Sequence, residues 1–481
     1  MSGDGGYRFR GTPLLVALFL LCESVWAVNI PDVFEDPLYV MPPVLTDGVR
    51  LPGDDGPLAC PATVNLTNAL SLSDVIDLAL CRNPQIRLAW ASIKIQASAL
   101  GEARAAYWPT LSGSTSYLQN RIHYPGSTLP ETTNEGQTVF ASLGWRLFDF
   151  GGRSANRKSA NLLLTAALLS HDAALQKTLA SVVSAYFDAL TAQAVAQARS
   201  ESAHLAERTV ATTERRENKG VAAQSDTLQA RTALAKAQLT EQRALGELRK
   251  AVSVLIYTMN LPPSTPIQLM SISEAPASKT RQDLEHWLGE ASQHHPGILA
   301  ARAQLDAAKT KINAVRSEGL PSIDFTGNYY RNGYPNQGLQ TTKSDTTTWG
   351  LTLTVPFFEG FARTYKIRSA EAQAEQSAAQ LADTERQILA EVVKAHADAV
   401  ASLANLESSV KLLDAAQAAL ASSEKRYAKG AADILELLNQ QASLADAQQE
   451  RVRCLSEWQS ARLRLMANTG VMGSIAARLP Q

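Results

Sequence analysis

The stretch Gly152-Arg153-Ser154-Ala155-Asn156-Arg157-Lys158-Ser159 has nearly the spacing of a phosphate-binding loop, opening on glycine and closing on Lys-Ser. In such a loop a second glycine just before the lysine lets backbone amides wrap a phosphate. Here Arg157 holds that place, and its side chain closes the cradle. The stretch therefore reads as a basic helix start, which Arg363, Lys366 and Arg368 repeat later and which suits lipid phosphates. His294 and His295 are adjacent, so a helix points them in different directions, and no second cluster of metal-ligand spacing accompanies them. They are expected to be ordinary surface residues. No nucleophile motif is present and the carboxylates scatter as solvated charge, so the expectation is no enzymatic activity, no cofactor and no metal. Two acids stand out by position: Asp226 and Glu436 each lie six residues beyond a glycine, Gly220 and Gly430 (226 − 220 = 6; 436 − 430 = 6). An acid at a helix start complements the positive end, worth about 0.3 to 1 kcal/mol, so a functional role must be argued beyond that.

The chain of 481 residues has a formal net charge of -1 and 19% charged residues, so overall charge suggests neither nucleic acid nor a strongly charged ligand. Arg8 and Arg10, an apolar run from Leu14 to Cys22 and the small-residue end Val25-Trp26-Ala27 read as a secretory signal peptide over residues 1–27. Lipidation at Cys22 is the minor alternative, since Leu20-Leu21 lacks the small residue such a site wants beside the cysteine. No later segment approaches the roughly 20 apolar residues of a transmembrane helix. Contact with a membrane then falls to strands. Cys60, Cys81 and Cys454 remain in an oxidising compartment, an odd count that permits one bridge and one free thiol. The expected bridge is Cys60 to Cys81, pinning a proline-rich arm (residues 28–70) to the first short helix, with Cys454 in a helical seam beside Leu455.

The elements that must position these residues are dominated by residues 151–261, a proline-free stretch rich in Ala, Leu, Gln and Arg. Its apolar residues recur at helical spacing, as Leu175, Leu179, Val182, Tyr186 and Leu190, then as Leu245, Leu248, Val252, Leu255 and Met259 in the heptad seam of a coiled coil. Gly220 marks a reversal, so one helix of roughly 100 Å runs out and a second returns. Before it come short helices at Leu72 to Leu80 and from Asn83-Pro84 to Tyr107, stopped by Pro109. Between lie two strands, about 111–124 and 137–150. Leu111, Gly113, Thr115 and Tyr117, then Val139, Ala141, Leu143, Trp145 and Leu147, alternate with small polar residues.

The whole unit then recurs. Pro84 is echoed by Pro296 (296 − 84 = 212), Pro109 by Pro321 (321 − 109 = 212), Gly151 by Gly360 (360 − 151 = 209) and Gly220 by Gly430 (430 − 220 = 210). An offset this steady is an internal duplication of one structural unit. Residues 71–269 form the first repeat and 270–471 the second, with strands about 322–334 and 347–358, a helical hairpin over 360–470 and a tail at 472–481. One apolar and one small-polar face, with Tyr124, Trp145, Tyr334 and Trp349 near strand ends, matches a transmembrane β-barrel. Four strands are too few to close and a bilayer tolerates no open edge, so several chains must pool their strands.

Leu80-Cys81-Arg82-Asn83-Pro84, Tyr107-Trp108-Pro109-Thr110-Leu111, Phe148-Asp149-Phe150-Gly151-Gly152-Arg153, Lys219-Gly220-Val221-Ala222 and Arg426-Tyr427-Ala428-Lys429-Gly430 occur in an order that resembles the TolC-like outer-membrane factor family, over most of the mature chain. The resemblance implies an α+β membrane protein. Four strands per chain enter a transmembrane barrel completed by a homotrimer, above a long antiparallel coiled-coil barrel of helices. It implies a place in the outer membrane of a Gram-negative bacterium, with most of the mass in the periplasm. The implied partners are a periplasmic adaptor, an inner-membrane ABC or proton-driven transporter and outer-membrane lipid, with no nucleic acid. Ala79-Leu80-Cys81-Arg82-Asn83-Pro84 looks like the branch serving type I secretion of protein toxins; small-molecule efflux is the alternative, and a non-channel coiled-coil protein a weaker one.

The resemblance also assigns roles. Pro109, Gly151, Pro321 and Gly360 mark the membrane boundary, Gly220 and Gly430 the hairpin turns. Asp226, Tyr427, Glu436 and Asn439 fall at the periplasmic entrance, where Tyr427 matches a tyrosine that helps hold the tips together. Asn439 departs from the family pattern by being an amide, and Ala432 stands where an arginine can occur. The entrance charge is therefore expected mainly from Glu436, with Asp226 in the neighbouring hairpin.

Overall fold

The computed structural model describes residues 36–47, 60, 69–123, 125–126, 128, 131–270, 283–333 and 344–470. The signal peptide, most of the proline-rich arm, the tail, Tyr124 and Tyr334 lie outside the described residues. The chain divides into two units, residues 1–41 and 42–481. In the first, Asp36 accepts from the amides of Val40 and Met41 at 2.8 and 3.0 Å. The second opens with a helical turn at Val44–Asp47. It continues as α1 Leu72–Arg82, α2 Pro84–Ala105, β1 Thr110–Ile122, β2 Thr132–Phe148, α3 Gly152–Asn218 and α4 Gln224–Thr258, then α5 Leu284–His294, α6 Pro296–Ser317, β3 Ser322–Asn332, β4 Ser344–Thr354, α7 Ala362–Ala428 and α8 Ile434–Asn468.

The helices pair off by length: 11 and 11 residues for α1 and α5, 22 and 22 for α2 and α6, 67 and 67 for α3 and α7, 35 and 35 for α4 and α8. The strands do not, at 13 and 17 against 11 and 11 residues. Helix packing has thus held the repeat in register, while the strands diverge. Each long helix serves as a spine. At its start α3 lies along α2 and α6, and further on along α4 and α8; α7 packs on α6 and α8.

Halfway along the spine the apolar stripe thickens into a core. Leu175, Leu179, Val182, Tyr186 and Leu190 are all buried there, with Val75 and Ile76 of α1, Leu255 of α4 and Met259 at its C-cap. Val252 packs against this cluster from the edge. One window of α3 reaches the length and mean hydropathy of a membrane span, 1.3, but half of it is buried by these neighbours, as in a core helix. Leu70 bridges to Leu269, its amide donating to Gln268 O at 2.8 Å, which staples the start of the first repeat to its end. Cys60 is bonded to Cys81 of α1, and Cys454 is a free, buried thiol beside Leu406 and Trp458.

The strands form one antiparallel sheet in the order β1-β2-β3-β4. Register places Leu111, Leu143, Gly327 and Trp349 in one row and Trp145, Phe325 and Leu351 in the next, all on one face. Ser112, Ser142, Asn328 and Thr348 fill the opposite face. The strand ends differ from the alternation reading: β2 begins at Thr132, and β4 runs from Ser344 to Thr354. A bulge between Arg146 and Phe148 also removes Leu147 from the apolar row, and Phe148 takes its place opposite Ile323. Strict alternation has no means of showing an extra residue in a strand.

His295 is a correction of a different kind, because it is no ordinary surface residue. It caps α6, its Nδ1 accepting from the Gly297 amide at 3.1 Å, as Asn83 Oδ1 accepts from the Gln85 amide at 2.8 Å at the start of α2. His294 is the exposed one, 3.2 Å from Glu290. Burial pushes the His295 pKa below its ordinary value of 6.5. An accepting Nδ1 needs the neutral ring, so protonation opposes the cap. Between the lowered native pKa and the unfolded one, the unfolded chain binds more protons. Stability is therefore full above about pH 6.5 and declines as pH falls through that window. His295→Asn, which copies the first repeat, is expected to flatten this part of a urea-midpoint against pH curve while keeping the cap.

Candidate functional site

Two surfaces of the second unit gather the residues singled out above, and the first is a continuous concave wall. A groove of 920 Å³ is lined by four helices at once, with Glu102 from α2, Arg153 and Asn156 from α3, Lys311 from α6 and Gln373 from α7. Only the inside of a curved helical layer touches all four. A second cavity, of 410 Å³, joins Arg153 and Asn156 to Arg146, Ser322 and Thr354 of the sheet. The small-polar sheet face and the concave helical face are therefore one wall, and the apolar sheet face looks outward. Arg146 and Asp324 pair on the inner wall at 2.9 Å.

Where sheet meets helices, the chain turns through two consecutive left-handed residues in each repeat. These are Phe150-Gly151, at φ 49 and 89, and Gly360-Phe361, at φ 59 and 64. Pro109 and Pro321 precede β1 and β3 at the same level. Arg153 ties the corner together, donating to Asp149, to the carbonyls of Arg146 and Leu147, and lying 4.8 Å over the Tyr107 ring. Trp145 Nε1 donates to Tyr107 O at 2.9 Å. Trp108, Phe150, Phe357, Phe358, Phe361 and Tyr365 stand exposed around this level, the distribution of an interfacial aromatic girdle.

The second surface is the pair of helix tips at the other end. Gly220 and Gly430 adopt φ 70 and 72. In the first turn Val221 N donates to Arg216 O at 3.0 Å and Gly220 N to Glu217 O at 2.8 Å; in the second Ala431 N donates to Arg426 O at 2.8 Å and Gly430 N to Tyr427 O at 3.0 Å. Both are the doubly bonded glycine stop of an α-helix. Asp433 then caps α8 by accepting from the Glu436 amide at 2.8 Å.

Tyr427 is buried between the hairpins with Ile434 and Leu437. Arg216 of the first hairpin clasps it: Nη1 donates to Tyr427 O at 3.0 Å and the guanidinium sits 4.7 Å over the ring. Burial, with Asp226 adding to it and Arg216 opposing, raises the Tyr427 pKa. Glu436 is paired with Arg426 at 2.8 Å, and Asp226 accepts from Ser225 Oγ at 3.3 Å. Asn439 is exposed on α8, and Ala432 packs at the edge of the Tyr427 cluster. The tip thus gathers Tyr427, Asp226, Arg216, Arg426 and Glu436, leaving Asn439 aside. Neither arginine was given a role from the sequence, where Arg426 figured only as the first residue of a motif, although the two occupy equivalent places in the repeats (426 − 216 = 210), three residues before Lys219-Gly220 and Lys429-Gly430.

A four-stranded sheet with one lipid-type face, continued by a concave layer of very long helices, defines a sector of a barrel and tunnel. A sequence profile described as outer membrane efflux protein matches residues 75–259 and 287–471, two segments offset by the repeat distance (287 − 75 = 212). Protein CyaE of Bordetella pertussis is 34% identical over 414 residues, covering 86% of this chain and 87% of that one. Alkaline protease secretion protein AprF of Pseudomonas aeruginosa is 30% identical, covering 84% and 85%. The solved outer-membrane channel OprN superposes with a TM-score of 0.72 at 19% identity, over 88% of this chain and 97% of that one, a likeness of fold. The chain belongs to the outer membrane efflux protein family, and it is an export channel protein of the Gram-negative outer membrane.

The tip geometry predicts how its turns respond to change. Nothing lies within 4 Å of a Cβ added at Gly220 or Gly430, so only backbone conformation resists substitution. Gly220→Ala and Gly430→Ala should each cost about 1 to 2 kcal/mol in urea unfolding. Asn at either position should cost less, because it tolerates the left-handed region.

Proposed function

We propose that three copies of this chain close one barrel and one tunnel. The assembly docks to a periplasmic adaptor and an inner-membrane transporter and passes secreted proteins outward as a conduit, with no chemical step of its own. The observation that carries this is the pair of unfinished edges. Among the described residues β1 and β4 each have a strand on one side only. The outer helices expose apolar residues seven apart, Leu88 and Ile95 on α2 and Val393 and Val400 on α7, the spacing of a seam awaiting a partner helix. Both edges need covering at once, and rotation about one axis supplies the cover. A protein cargo is supported by the secretion role in the name of the relative AprF. An ABC-type transporter is the partner expected with it; the family description also accommodates small-molecule efflux.

A deletion strain tests this. It should lose a protein from the culture medium while its tolerance of solvents and antibiotics stays unchanged, and the wild-type gene should restore export. Val400→Asp, expected to abolish SDS-resistant trimers, should not. Loss of tolerance without loss of secreted protein would favour small-molecule efflux instead.

At the entrance, the pairing of Glu436 with Arg426 moves the weight of the negative potential to Asp226, beside the Arg216–Tyr427 clasp. A focused charge of this kind sets ion preference. Reversal potentials in planar bilayers should show weaker cation selectivity for Asp226→Asn. Arg426→Gln with Glu436→Gln, which removes both members of the pair, should leave selectivity near wild type. If Asp226→Asn alters only the thermal midpoint, the acid serves the helix start.

A further inference from the structure

The inner sheet wall is built of small polar residues, with one aromatic interruption. Phe140 of β2 and Tyr330 of β3 are direct partners in the antiparallel register. They share their face with Ser114 on one side and Thr346 on the other. Ser142 and Asn328 lie one step along the same face, and Arg146 and Asp324 lie further down it. Because Arg146, Ser322 and Thr354 line a cavity together with the tunnel residues Arg153 and Asn156, this face is the interior one. The two rings therefore look into the barrel, and they remain 37% and 38% exposed.

Aromatic side chains gain most by burial, and in a barrel the lipid face offers that burial freely. Trp349, Leu351 and Leu353 take that option, 80%, 68% and 63% exposed on the outward face. Phe140 and Tyr330 sit instead in an aqueous passage, where a ring of this size is useful only against something that passes. Flat rings accept apolar side chains of many shapes through short, weak contacts, and they do so without reading sequence. An extended polypeptide presents such side chains at short intervals.

We propose that Phe140 and Tyr330 of each protomer form an aromatic collar inside the barrel that transiently binds the apolar and aromatic side chains of a polypeptide in transit. This rests on the trimeric channel reading above. The collar is repeated about the axis, so a moving chain exchanges one ring pair for the next, and the contact guides without holding.

The test uses purified full-length protein in planar bilayers. An unstructured Gly/Ser-rich peptide carrying spaced phenylalanines is added on the barrel side, and its all-serine counterpart serves as control. The phenylalanine peptide should block wild type for about ten times longer than the control, the worth of one or two aromatic contacts. Phe140→Ser with Tyr330→Ser should bring the two peptides together while the open conductance persists, and Phe140→Trp with Tyr330→Trp should restore the difference. If the double serine variant does not assemble, each single serine variant must shorten the block. A long block that survives these substitutions, or equal blocks in wild type, overturns the collar. Variant-sensitive block by free indole with none by the peptide also overturns it, in favour of small aromatic compounds. Protein that forms no SDS-resistant trimer, or trimers that conduct no current, would refute the channel reading itself.

Discussion

An apolar sheet face flanked by two open edges is the constraint on which this molecule depends. In lipid every backbone N–H and C=O must find a partner within the protein, so a sheet whose outer strands β1 and β4 have, among the described residues, one unpaired edge each cannot stand in a bilayer alone. The helices below inherit the same incompleteness. Their exposed seams on α2 and α7 lie on the outer members of the layer, and the proposed trimer satisfies strands and helices with one symmetry. The long helices follow from this, since a spine that carries both strand pair and tip must span the whole unit.

The contacts along that spine change in chemistry from its middle to its tips. At the middle, α1, α3, α4 and α8 share a dense apolar cluster, stapled by the Leu70 to Leu269 bridge and the bond from Cys60 to Cys81. Towards the tips polar contacts join the apolar ones between the two hairpins: Arg199 to Asp446 and Gln449, Thr209 to Gln441 and Arg216 to Tyr427 accompany a small cluster of Leu420, Tyr427, Ile434 and Leu437 against which Leu205 packs. Apolar burial is non-directional and hard to reverse locally, whereas hydrogen bonds to side chains can be exchanged for water at small net cost.

The inner wall shows a similar division. Its helical part is mostly amide and alanine, with the charges of Glu102, Lys311 and Arg153 interspersed, which gives a passing chain little to adhere to. Near the membrane the charged pair Arg146 and Asp324 and then the rings of Phe140 and Tyr330 follow one another along the sheet. The outward face is apolar along Leu143, Trp145, Phe325, Trp349 and Leu351 and turns polar at the Arg331 and Asp345 pair beyond the rings, so the two faces of one thin sheet differ in chemistry over the same rows.

Much of this was legible in the residues. Proline-free helical periodicity set the long helices, and the offset of 209 to 212 residues gave the duplication. Two glycines six residues ahead of acids placed the tips. These features are local, so chain spacing alone expresses them. What only tertiary structure decided depends on which residues meet from distant segments. The cap role of His295 needs the Gly297 amide oriented by α6, and the bulge that substitutes Phe148 for Leu147 needs the partner strand. Arg216 gains its role from Tyr427, 211 positions away, and Glu436 has its charge compensated by Arg426 across a turn. Sequence spacing determines which face a side chain can occupy; the fold determines what it finds there, because charge and aromatic contacts act over a few ångströms of space and take no account of distance along the chain.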